Sequence, residues 1–409
     1  MRIAWIGSPS KGGGVGGMCR LFLRELAAGG VSIDVYSVGG GGDLPEMIEA
    51  QRQGLRFMAF PYDWDWNSWY GRQKQLAFMM SFAKRLLAYD RLVSALVKEY
   101  RARPYDVVIQ FSQGELFGLR RYTNEIPIVL FPCVHAAGEL EWTRKESVIV
   151  RRCEPLWWRL LREPYLAYRA HLQKRDYAAA RGVIGMSRRF NALVQRDYGV
   201  PPGRQGVIYQ PMDMPPVGGE AMREPDGMVR LLFVGRISVR KGLEMIVRAA
   251  HQVVLPDDTL ELTIIGAGSL WSNYERLLTD LPTNARVRWL KSLSNAQVVG
   301  EMQRSDVLLV PSLYEPGGIV VAEALANGMI VLTSDAVGSA ENLPDSVRVE
   351  FPAGNQEAFE AAMRMAVEKV RVGGRSLRQE ANRVARELFD PAMMTRRLLE
   401  EVERIVGGS

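Results

Sequence analysis

The sequence predicts an α/β fold with two doubly wound domains, each a parallel sheet covered by helices on both faces. Three observations support this prediction. The chain has 409 residues, 47% of them hydrophobic, which is enough for two or three domains with cores of their own. Its strand candidates are nearly continuous apolar runs, as in sheets buried on both faces. Strands and helices alternate along the chain, and the alternation starts again after residue 229.

The first half contains five short runs rich in Val and Ile, which predict strands. These runs are 2–8, 31–38, 106–112, 126–132 and 182–187. The helical stretches between them are 16–29, most of 69–102, much of 144–180, and 188–198. Each strand followed by a helix implies a right-handed crossover to the next parallel strand.

The second half repeats the pattern with six strands. They are predicted at 229–236, 260–266, 287–292, 306–311, 329–334 and 347–351. The helices are predicted at 242–254, 269–280, 295–304, 318–327, 355–370 and 391–407. The segment 211–229 is rich in Pro, Gly and Met and is the best candidate for a linker. We therefore expect domains at 1–210 and 211–390, followed by a terminal segment at 391–409.

Charge is distributed unevenly between the two halves. The whole chain carries +6, but residues 1–210 carry +11 (30 basic, 19 acidic) and residues 211–409 carry −5 (22 basic, 27 acidic). A basic first half is typical of proteins that meet phosphates, an anionic polymer or an anionic membrane surface. The alternative is a basic surface that is merely solvated.

Cysteine and histidine usage excludes several classes. Three cysteines, odd in number and widely spaced, argue against a disulfide scaffold and for a reducing compartment. Three scattered histidines make a zinc site unexpected. No apolar run has the length of a membrane span. The N-terminus is interpreted as a first strand rather than a signal peptide, so a cytoplasmic location is expected.

A glycine cluster follows the first predicted strand. Gly12, Gly14 and Gly17 form a G-x-G-x-x-G pattern, with Asp34 twenty residues after Gly14, which would fit a dinucleotide-binding turn. However, Ser8–Lys11 separate the strand from the glycines, and Asp34 lies inside a strand rather than at its end. The simpler interpretation is a loop whose backbone N–H groups approach an anion or a sugar.

A second loop combines glycine with positive charge. Its strand ends at Gly235, and Arg236, Arg240 and Lys241 precede a helix that starts at Gly242. Arg can hold two phosphate oxygens, Lys supplies a point charge, and the helix N-terminus adds a positive dipole end. This pattern favours a diphosphate, although a basic surface loop is the alternative.

The third pattern is the strongest. Glu315 lies in the loop after a strand, Gly317 and Gly318 follow, and Glu323 is the only charge on the helix 318–327. Glycines at a helix N-terminus expose backbone N–H groups to an anion. Carboxylates on either side can accept hydrogen bonds from the hydroxyl groups of a sugar and a ribose. Two ordinary surface glutamates would not explain the glycine pair.

Together these patterns resemble the retaining GT-B glycosyltransferases of the family-4 type (glycosyl transferases group 1). The resemblance extends over essentially the whole chain, is strongest over 229–342 and is weakest over 40–180. It implies two Rossmann-like domains facing each other across a deep cleft, with the acceptor on the first and the nucleotide sugar on the second. The helix in 391–409 would cross back to the N-terminal domain.

The resemblance also implies roles for individual residues. Glu323 would bind the ribose and Glu315 the donor sugar, while Arg236 and Lys241 would stabilise the leaving diphosphate. His135 would lie near the donor sugar, with a purely structural histidine as the alternative. The remaining predicted contacts with the nucleotide sugar are Gly16, Gly17, Trp289, Leu290, Lys291, Gly317, Gly318 and Ile319. The chain departs from the family at Ala136–Ala137 and around 208–213, which affects the acceptor side and the hinge.

A metal-binding pattern has to be weighed. Asp63-Trp64-Asp65 is formally the D-x-D by which other glycosyltransferases hold a divalent cation. It lies in an aromatic loop, 62–70, that does not follow a predicted strand. Because Arg236 and Lys241 can neutralise the leaving group, neither a metal nor another cofactor is expected. The loop aromatics would instead stack on an acceptor sugar, contact lipid, or simply pack.

The predicted activity is sugar transfer from a nucleotide-diphosphate sugar to a glycan, a lipid-linked acceptor or another hydroxyl group, with retention of the anomeric configuration. A nucleotide-sugar 2-epimerase of the same fold and a non-catalytic nucleotide-sugar binder are the alternatives. Two stretches, 72–98 and 144–196, combine basic with aromatic and aliphatic side chains. They predict peripheral binding to an anionic inner membrane face, unless the stripes only pack on the sheet. Nucleic acid is not an expected partner.

Overall fold

The structure is a computed structural model that describes residues 1–10, 14–62, 75–214, 227–268, 273–282 and 284–408, with only the backbone described over 75–83. Several sequence predictions therefore lie outside the described residues: Gly12 of the glycine cluster, the Asp63-Trp64-Asp65 pattern with the rest of its aromatic loop after Tyr62, the first residues of the stretch 72–98, and most of the linker candidate. The chain divides into two compact units. Unit 1 comprises Met1–Gly138, Glu163–Pro211 and Pro391–Ser409, and unit 2 comprises Glu139–Arg162 and Met212–Asp390.

Unit 1 is built on a seven-stranded sheet. The strands are β1 (Arg2–Ile6), β2 (Ser32–Ser37), β3 (Arg56–Ala59), β4 (Val107–Ser112), β5 (Ile128–Pro132), β6 (Gly182–Gly185) and β7 (Gln205–Val207). Their order is β3-β2-β1-β4-β5-β6-β7. Every pairing is parallel. The order reverses between β1 and β4, which is the switch point of a doubly wound sheet.

Seven helices precede the second sheet in the described chain. They are α1 (Gly14–Ala28), α2 (Pro45–Arg52), α3 (Gln75–Ala102), α4 (Ala136–Lys145), α5 (Ser147–Cys153), α6 (Leu156–Ala179) and α7 (Arg188–Tyr198). Short 3₁₀ turns occur at Phe117–Tyr122 and Pro202–Arg204. The C-cap of α7 is Gly199 at φ 73°, a left-handed conformation that glycine adopts without strain.

The core of unit 1 follows from strand alternation. On one face, Trp5 packs on Phe111, with ring centroids 5.1 Å apart, and Phe111 packs edge-on against Phe131 at 5.2 Å. The neighbouring strand residues Ala4 and Ile6 belong to a separate buried cluster on the other face. Successive side chains point to opposite faces of a strand, so the apolar run of β1 fills both layers.

Unit 2 is built on a six-stranded sheet. The strands are β8 (Val229–Val234), β9 (Leu260–Ile265), β10 (Val287–Leu290), β11 (Val307–Val310), β12 (Ile330–Ser334) and β13 (Arg348–Phe351). The later helices are α8 (Leu243–Ala249), α9 (Asn295–Arg304), α10 (Ile319–Ala326), α11 (Gln356–Phe389) and α12 (Pro391–Gly407), the last of which belongs to unit 1. A π turn at Ala250–Val254 follows α8, and 3₁₀ turns occur at Val239–Lys241, Tyr274–Leu278 and Gly338–Ala340.

The second sheet repeats the arrangement of the first. Its order is β10-β9-β8-β11-β12-β13, again entirely parallel. Counted from its own first strand, this is the order of the first six strands of unit 1, without a counterpart of β7, and the switch point lies between β8 and β11. The predicted fold class, two doubly wound parallel-sheet α/β domains, is confirmed.

Several element boundaries differ from the sequence predictions. The stretch 144–180 is not one helix, because α5 ends at Cys153 and α6 begins after Pro155. The helix predicted at 355–370 continues as α11 to Phe389 and is kinked at Gly374, whose φ is 48°. Only a 3₁₀ turn is found in the described part of 269–280. The contacts of Glu139–Arg162 group this segment with unit 2, although it precedes the predicted boundary at residue 210. In the described part of the chain, no helix is long and apolar enough to cross a bilayer.

Candidate functional site

The candidate site lies at the switch point of the second sheet. Strands β8 and β11 are hydrogen-bonded neighbours, so their carboxyl ends lie side by side. The loop 235–242 follows β8, and the loop 311–318 follows β11. In doubly wound sheets this edge is where ligands bind.

A glycine fixes the loop after β8. Gly242 has φ 66°, and a Cβ atom there would lie 2.0 Å from the carbonyl oxygen of Pro311. Any larger residue would therefore push the two loops apart. The backbone N–H of Leu313 donates to the carbonyl of Arg240 at 2.8 Å, which ties the loops together. Lys241 ends the 3₁₀ turn that precedes α8.

Lys241 and Glu315 form an ion pair across these two loops, and both side chains are mostly buried. Burial acts to raise the pKa of Glu315, but the positive charges of Lys241, Arg240 and Arg236 hold that pKa below its ordinary value. The backbone of Glu315 is also fixed, since Gly338 donates its N–H to the Glu315 carbonyl at 2.9 Å. The site therefore holds an ionised carboxylate beside several cations.

The glycine pair forms the start of α10. Gly318 is the N-cap residue with φ 114°, and a Cβ atom there would lie 2.9 Å from Ser339 Oγ and 3.3 Å from Glu315 Cγ. Ser339 fixes this turn, because its hydroxyl donates to the Gly318 carbonyl at 3.0 Å and its N–H donates to the Gly317 carbonyl at 3.1 Å. The helix then begins at Ile319 with its N-terminus at the edge of the sheet.

Glu323 lies in the second turn of α10 and is half-buried. Burial alone raises its pKa. In the part of the chain that the structure describes, its carboxylate has neither a hydrogen bond nor an ion pair. A half-buried carboxylate without a partner costs stability, so this group is suited to a ligand that brings hydroxyl donors.

Two further arginines belong to the site. Arg236 is exposed, and its charge contributes to the lowered pKa of Glu315. Arg240 lies 3.3 Å from Glu139 and 5.7 Å above the ring of Tyr314. The sequence analysis did not single out Glu139, because it lies about a hundred positions from Arg240 and only the fold brings the two together.

The predicted base-binding residues lie at the same edge of the second sheet. Trp289 and Leu290 end β10, and the indole N–H of Trp289 donates to the carbonyl of Gly266 at 2.9 Å. Lys291 places its ammonium group 5.3 Å from the centre of the Trp289 ring. Gly266 directly follows β9, so this group extends the site along the carboxyl ends of β9 and β10.

His135 belongs to unit 1 and is fully buried. Its Nδ1 accepts the N–H of Gly138 at 3.2 Å, and its Nε2 lies 3.2 Å from the Asp197 carboxylate. Burial raises the pKa of Asp197, but hydrogen bonds from His135 and Arg196 lower it to about 2. Both imidazole nitrogens thus have partners in the protein, an arrangement that favours the structural alternative for His135. Its catalytic role stays a prediction.

The first-turn glycines lie at the start of α1. Gly16 contacts Ser10, whose N–H donates to the Gly16 carbonyl at 3.1 Å, and Gly17 is buried. The dinucleotide alternative does not fit, because Asp34 is buried and already paired. Arg2 lies 2.7 Å from its carboxylate, and the Tyr105 hydroxyl donates to it at 2.5 Å. No carboxylate is left at that position for a ribose.

A metal ion would need a cluster of His, Cys, Asp or Glu side chains. Over the described ranges, no group of three or more His, Cys, Asp or Glu side chains could hold a metal ion. The Asp63-Trp64-Asp65 pattern lies outside those ranges. The cationic side chains of the described site include Arg236 and Lys241.

Comparison with known families shows the family of the chain. The family model for Glycosyltransferase Family 4 matches residues 12–214, and the model for Glycosyl transferases group 1 matches residues 220–387. Together they extend over both units. The chain belongs to the group 1 glycosyltransferases.

Similar proteins are consistent with this membership. The glycosyltransferase is 33% identical over 117 residues to an uncharacterised glycosyltransferase of Methanocaldococcus jannaschii, a match that covers 29% of this chain and 30% of the relative. It resembles in fold the sucrose-phosphate synthase of Thermosynechococcus elongatus (TM-score 0.70, 18% identity, all of both chains). It also resembles HepE of Anabaena, solved in complex with UDP-glucose (TM-score 0.62, 15% identity, 98% of this chain and 99% of HepE). At these identities the two structures show the GT-B fold alone.

Proposed function

We propose that this glycosyltransferase moves a sugar from a nucleotide-diphosphate sugar to a hydroxyl acceptor, retains the anomeric configuration and needs no metal ion. One observation carries the proposal. The Lys241–Glu315 ion pair lies on one side of the Gly317–Gly318 turn, at the switch point of the second sheet. Glu323, whose carboxylate has no partner among the described residues, lies on the other side. Cations suit a diphosphate, and the two carboxylates suit hydroxyl groups of a sugar and a ribose.

Each residue then has a role in the reaction. Arg236 and Lys241 stabilise the negative charge that develops on the departing diphosphate. Glu315 accepts hydrogen bonds from the donor sugar, and Glu323 accepts them from the ribose diol. The N–H groups at the start of α10 orient the sugar or the phosphate. The rate enhancement would come from positioning and leaving-group stabilisation, with a departing phosphate oxygen taking the proton of the acceptor.

Retention follows from transfer on one face of the sugar. The separation of two catalytic carboxylates that defines glycosidases is not needed if the leaving phosphate itself deprotonates the acceptor. The anomeric configuration of the product, read from the proton coupling at the anomeric carbon, tests this step. An inverted product would contradict it.

A thermal-shift experiment tests which nucleotide the donor carries. HepE, a structural neighbour, is described in complex with UDP-glucose, so UDP sugars come first in the search. A thermal-shift panel of UDP, GDP, ADP and their glucose and mannose conjugates identifies the donor, because a ligand of the native state stabilises by RT ln(1 + [L]/Kd). We expect one nucleotide series to raise the Tm clearly. No shift with any nucleotide diphosphate would contradict the proposal.

We also propose a cytoplasmic enzyme that docks on an anionic membrane surface. The first turns of α6 expose four large apolar side chains: Leu156, Trp157, Leu160 and Leu161. Arg151 and Arg152 of the preceding helix are exposed as well. Some cations of the stretch 144–196 are instead engaged with carboxylates, as in Arg162–Glu154 and Arg169–Glu115. An exposed apolar face beside exposed arginines is typical of interfacial helices.

Liposome flotation tests the docking proposal. The enzyme should float with vesicles that contain anionic lipid at low salt and should be released at high salt, where charges are screened. A Leu160→Ser, Leu161→Ser variant should float less, whereas Val372→Ser, exposed on α11, serves as a control. Absence of flotation at low salt would leave the basic surface to meet an anionic glycan.

A further inference from the structure

Unit 1 contains a cavity of about 470 Å³ at the switch point of its sheet. Ser112 at the end of β4 and Cys133 just after β5 line its floor, and Val15 at the start of α1 lines one side. Side chains of α3 and α6 complete the wall. The cavity thus occupies the position in the first sheet that the charged site occupies in the second.

Exposed apolar side chains surround this cavity. Val15, Leu86, Phe117, Tyr165 and Tyr168 all contribute to its lining, and each is more than a third exposed. Large apolar groups scattered singly over a surface are ordinary, but five around one cavity mark a binding site for an apolar group. A cavity of this size accommodates a ligand portion of drug-like dimensions.

The cavity lining contains three charged side chains, Arg85, Glu115 and Arg169, and the last two pair with each other. Arg169 lies 2.7 Å from Glu115, and the amide of Gln173 donates to the same carboxylate oxygen at 3.1 Å. By contrast, the side-chain oxygen of Gln113 receives no hydrogen bond from the described residues. The lining is therefore mainly apolar, with a small polar group close to the strand ends.

The loop along the cavity has a strained backbone. Ser112 and Phe117 have φ of 73° and 47°, and they are the only non-glycine residues with positive φ in the described chain. The loop is held at both ends, because Cys133 donates its N–H to the Ser112 carbonyl at 3.0 Å and Leu116 donates to Asp176 at 2.8 Å. Residues held in such conformations cluster at active sites and at ligand-binding loops.

We infer that this cavity binds the apolar part of an amphiphilic acceptor, a molecule with a hydrocarbon portion next to its reactive hydroxyl group. The hydrocarbon lies against Leu86, Phe117 and the two tyrosines of α6. The polar head lies toward Gln113 at the strand ends. This inference rests on the proposed function, since it names the class of acceptor for the same reaction.

Two matched glucosides test the inference on the full-length enzyme. Methyl β-D-glucoside and octyl β-D-glucoside share one sugar and differ only in the alkyl chain. Titration calorimetry below the micelle-forming concentration should give an affinity for the octyl compound at least about tenfold higher, because each buried methylene adds to binding.

Variants of single lining residues show whether the cavity causes the higher affinity for the octyl glucoside. Leu86→Ser and Phe117→Asn should each remove most of the gain, and Asn tolerates the left-handed backbone at position 117. Leu87→Ser is the control, because Leu87 is the neighbour of Leu86 on α3, is 66% exposed and does not line the cavity. It should keep the full preference for the octyl chain.

Two results would overturn the inference. Equal affinity for both glucosides would show that the site recognises the sugar alone. An equal loss in Leu87→Ser and Leu86→Ser would show that the alkyl chain binds nonspecifically. A nucleotide thermal shift on the same wild-type sample reports separately on the proposed function. A normal shift without an octyl preference removes the inference and leaves that function intact.

Discussion

The two sheets share a strand order but carry different chemistry at their carboxyl ends. In unit 2, the edge at β8 and β11 holds Lys241 paired with Glu315, an exposed Arg236, and Glu323, whose carboxylate has no partner in the described part of the chain. In unit 1, the equivalent edge holds a mainly apolar cavity whose principal charges are already satisfied. One backbone arrangement thus carries a charged edge in one unit and a mainly apolar edge in the other, because the loops rather than the strands determine the chemistry.

The largest expected effect comes from removing the cations of the second edge. In Arg236→Ala with Lys241→Ala, turnover should fall on the order of 10²-fold or more, since preorganised donors stabilise the leaving group. Nucleotide release at saturating donor measures it. Arg248→Ala with Arg304→Ala removes two exposed cations elsewhere in unit 2 and should keep wild-type turnover. Wild-type turnover in the first pair would refute the diphosphate assignment.

The next effect concerns a buried group of the first unit. His135→Ala should destabilise the enzyme by roughly 2–3 kcal/mol, because it opens a cavity and removes one of the two partners of the Asp197 carboxylate, leaving only Arg196. Denaturant unfolding measures this, with His251→Ala, an exposed histidine, as the control. We expect kcat of the folded variant to stay near that of wild type. A kcat loss of about 10²-fold, typical of a missing acid or base, would restore the catalytic role.

A smaller effect should appear at Glu323. Glu323→Gln should weaken nucleotide binding by about tenfold, as for a lost charge-assisted hydrogen bond to the ribose. The same change should raise the Tm of the free enzyme at pH 7. The raised pKa of Glu323 means that the ionised carboxylate destabilises the folded state relative to the unfolded state.

The size of this stability effect depends on pH. Wild-type stability should fall as pH rises from the ordinary glutamate pKa through the raised value, so the Tm advantage of Glu323→Gln should vanish below the ordinary pKa. Melting curves across this range check the direction. If the Tm of Glu323→Gln rose relative to that of wild type as the pH was lowered, the Glu323 carboxylate would have a stabilising partner.

The smallest expected effect is that of metal removal. Activity should survive EDTA, because side-chain cations neutralise the leaving group. Loss of activity in EDTA and recovery with Mn²⁺ would instead assign the diphosphate to a metal at Asp63-Trp64-Asp65. The assay repeated with Asp65→Asn, which should leave turnover unchanged, separates that site from general chelation.

Much of the fold could be predicted from local patterns. Helices α7 and α9 begin and end where predicted, and Ser187 and Ser294 fix their first turns with side-chain hydrogen bonds. The central strands were found for their continuous apolar runs. The edge strands β3 and β7 were missed, since one is half exposed and the other has only three residues, so neither has a strong pattern.

The sequence predicted which residues belong to the site, but it did not predict the contacts between them. Glycine turns with nearby charges identified the loops around Arg236 and Glu315. The ion pair of Lys241 with Glu315 and the approach of Glu139 to Arg240 could not be predicted, because they join positions far apart in sequence. The full burial of His135 was equally hidden, since it depends on Tyr198 and Phe190 packing around the ring.

A crossed titration tests the division of chemistry between the two edges most directly. The nucleoside diphosphate selected by the thermal-shift panel and octyl β-D-glucoside are each titrated into wild type, into Arg236→Ala with Lys241→Ala, and into Leu86→Ser. We predict that the double variant loses nucleotide affinity by at least about tenfold and keeps the glucoside, since charged contacts weigh most at phosphate. Leu86→Ser should instead lose affinity for the octyl glucoside and keep its affinity for the nucleotide. Unchanged nucleotide affinity in the double variant would contradict the account.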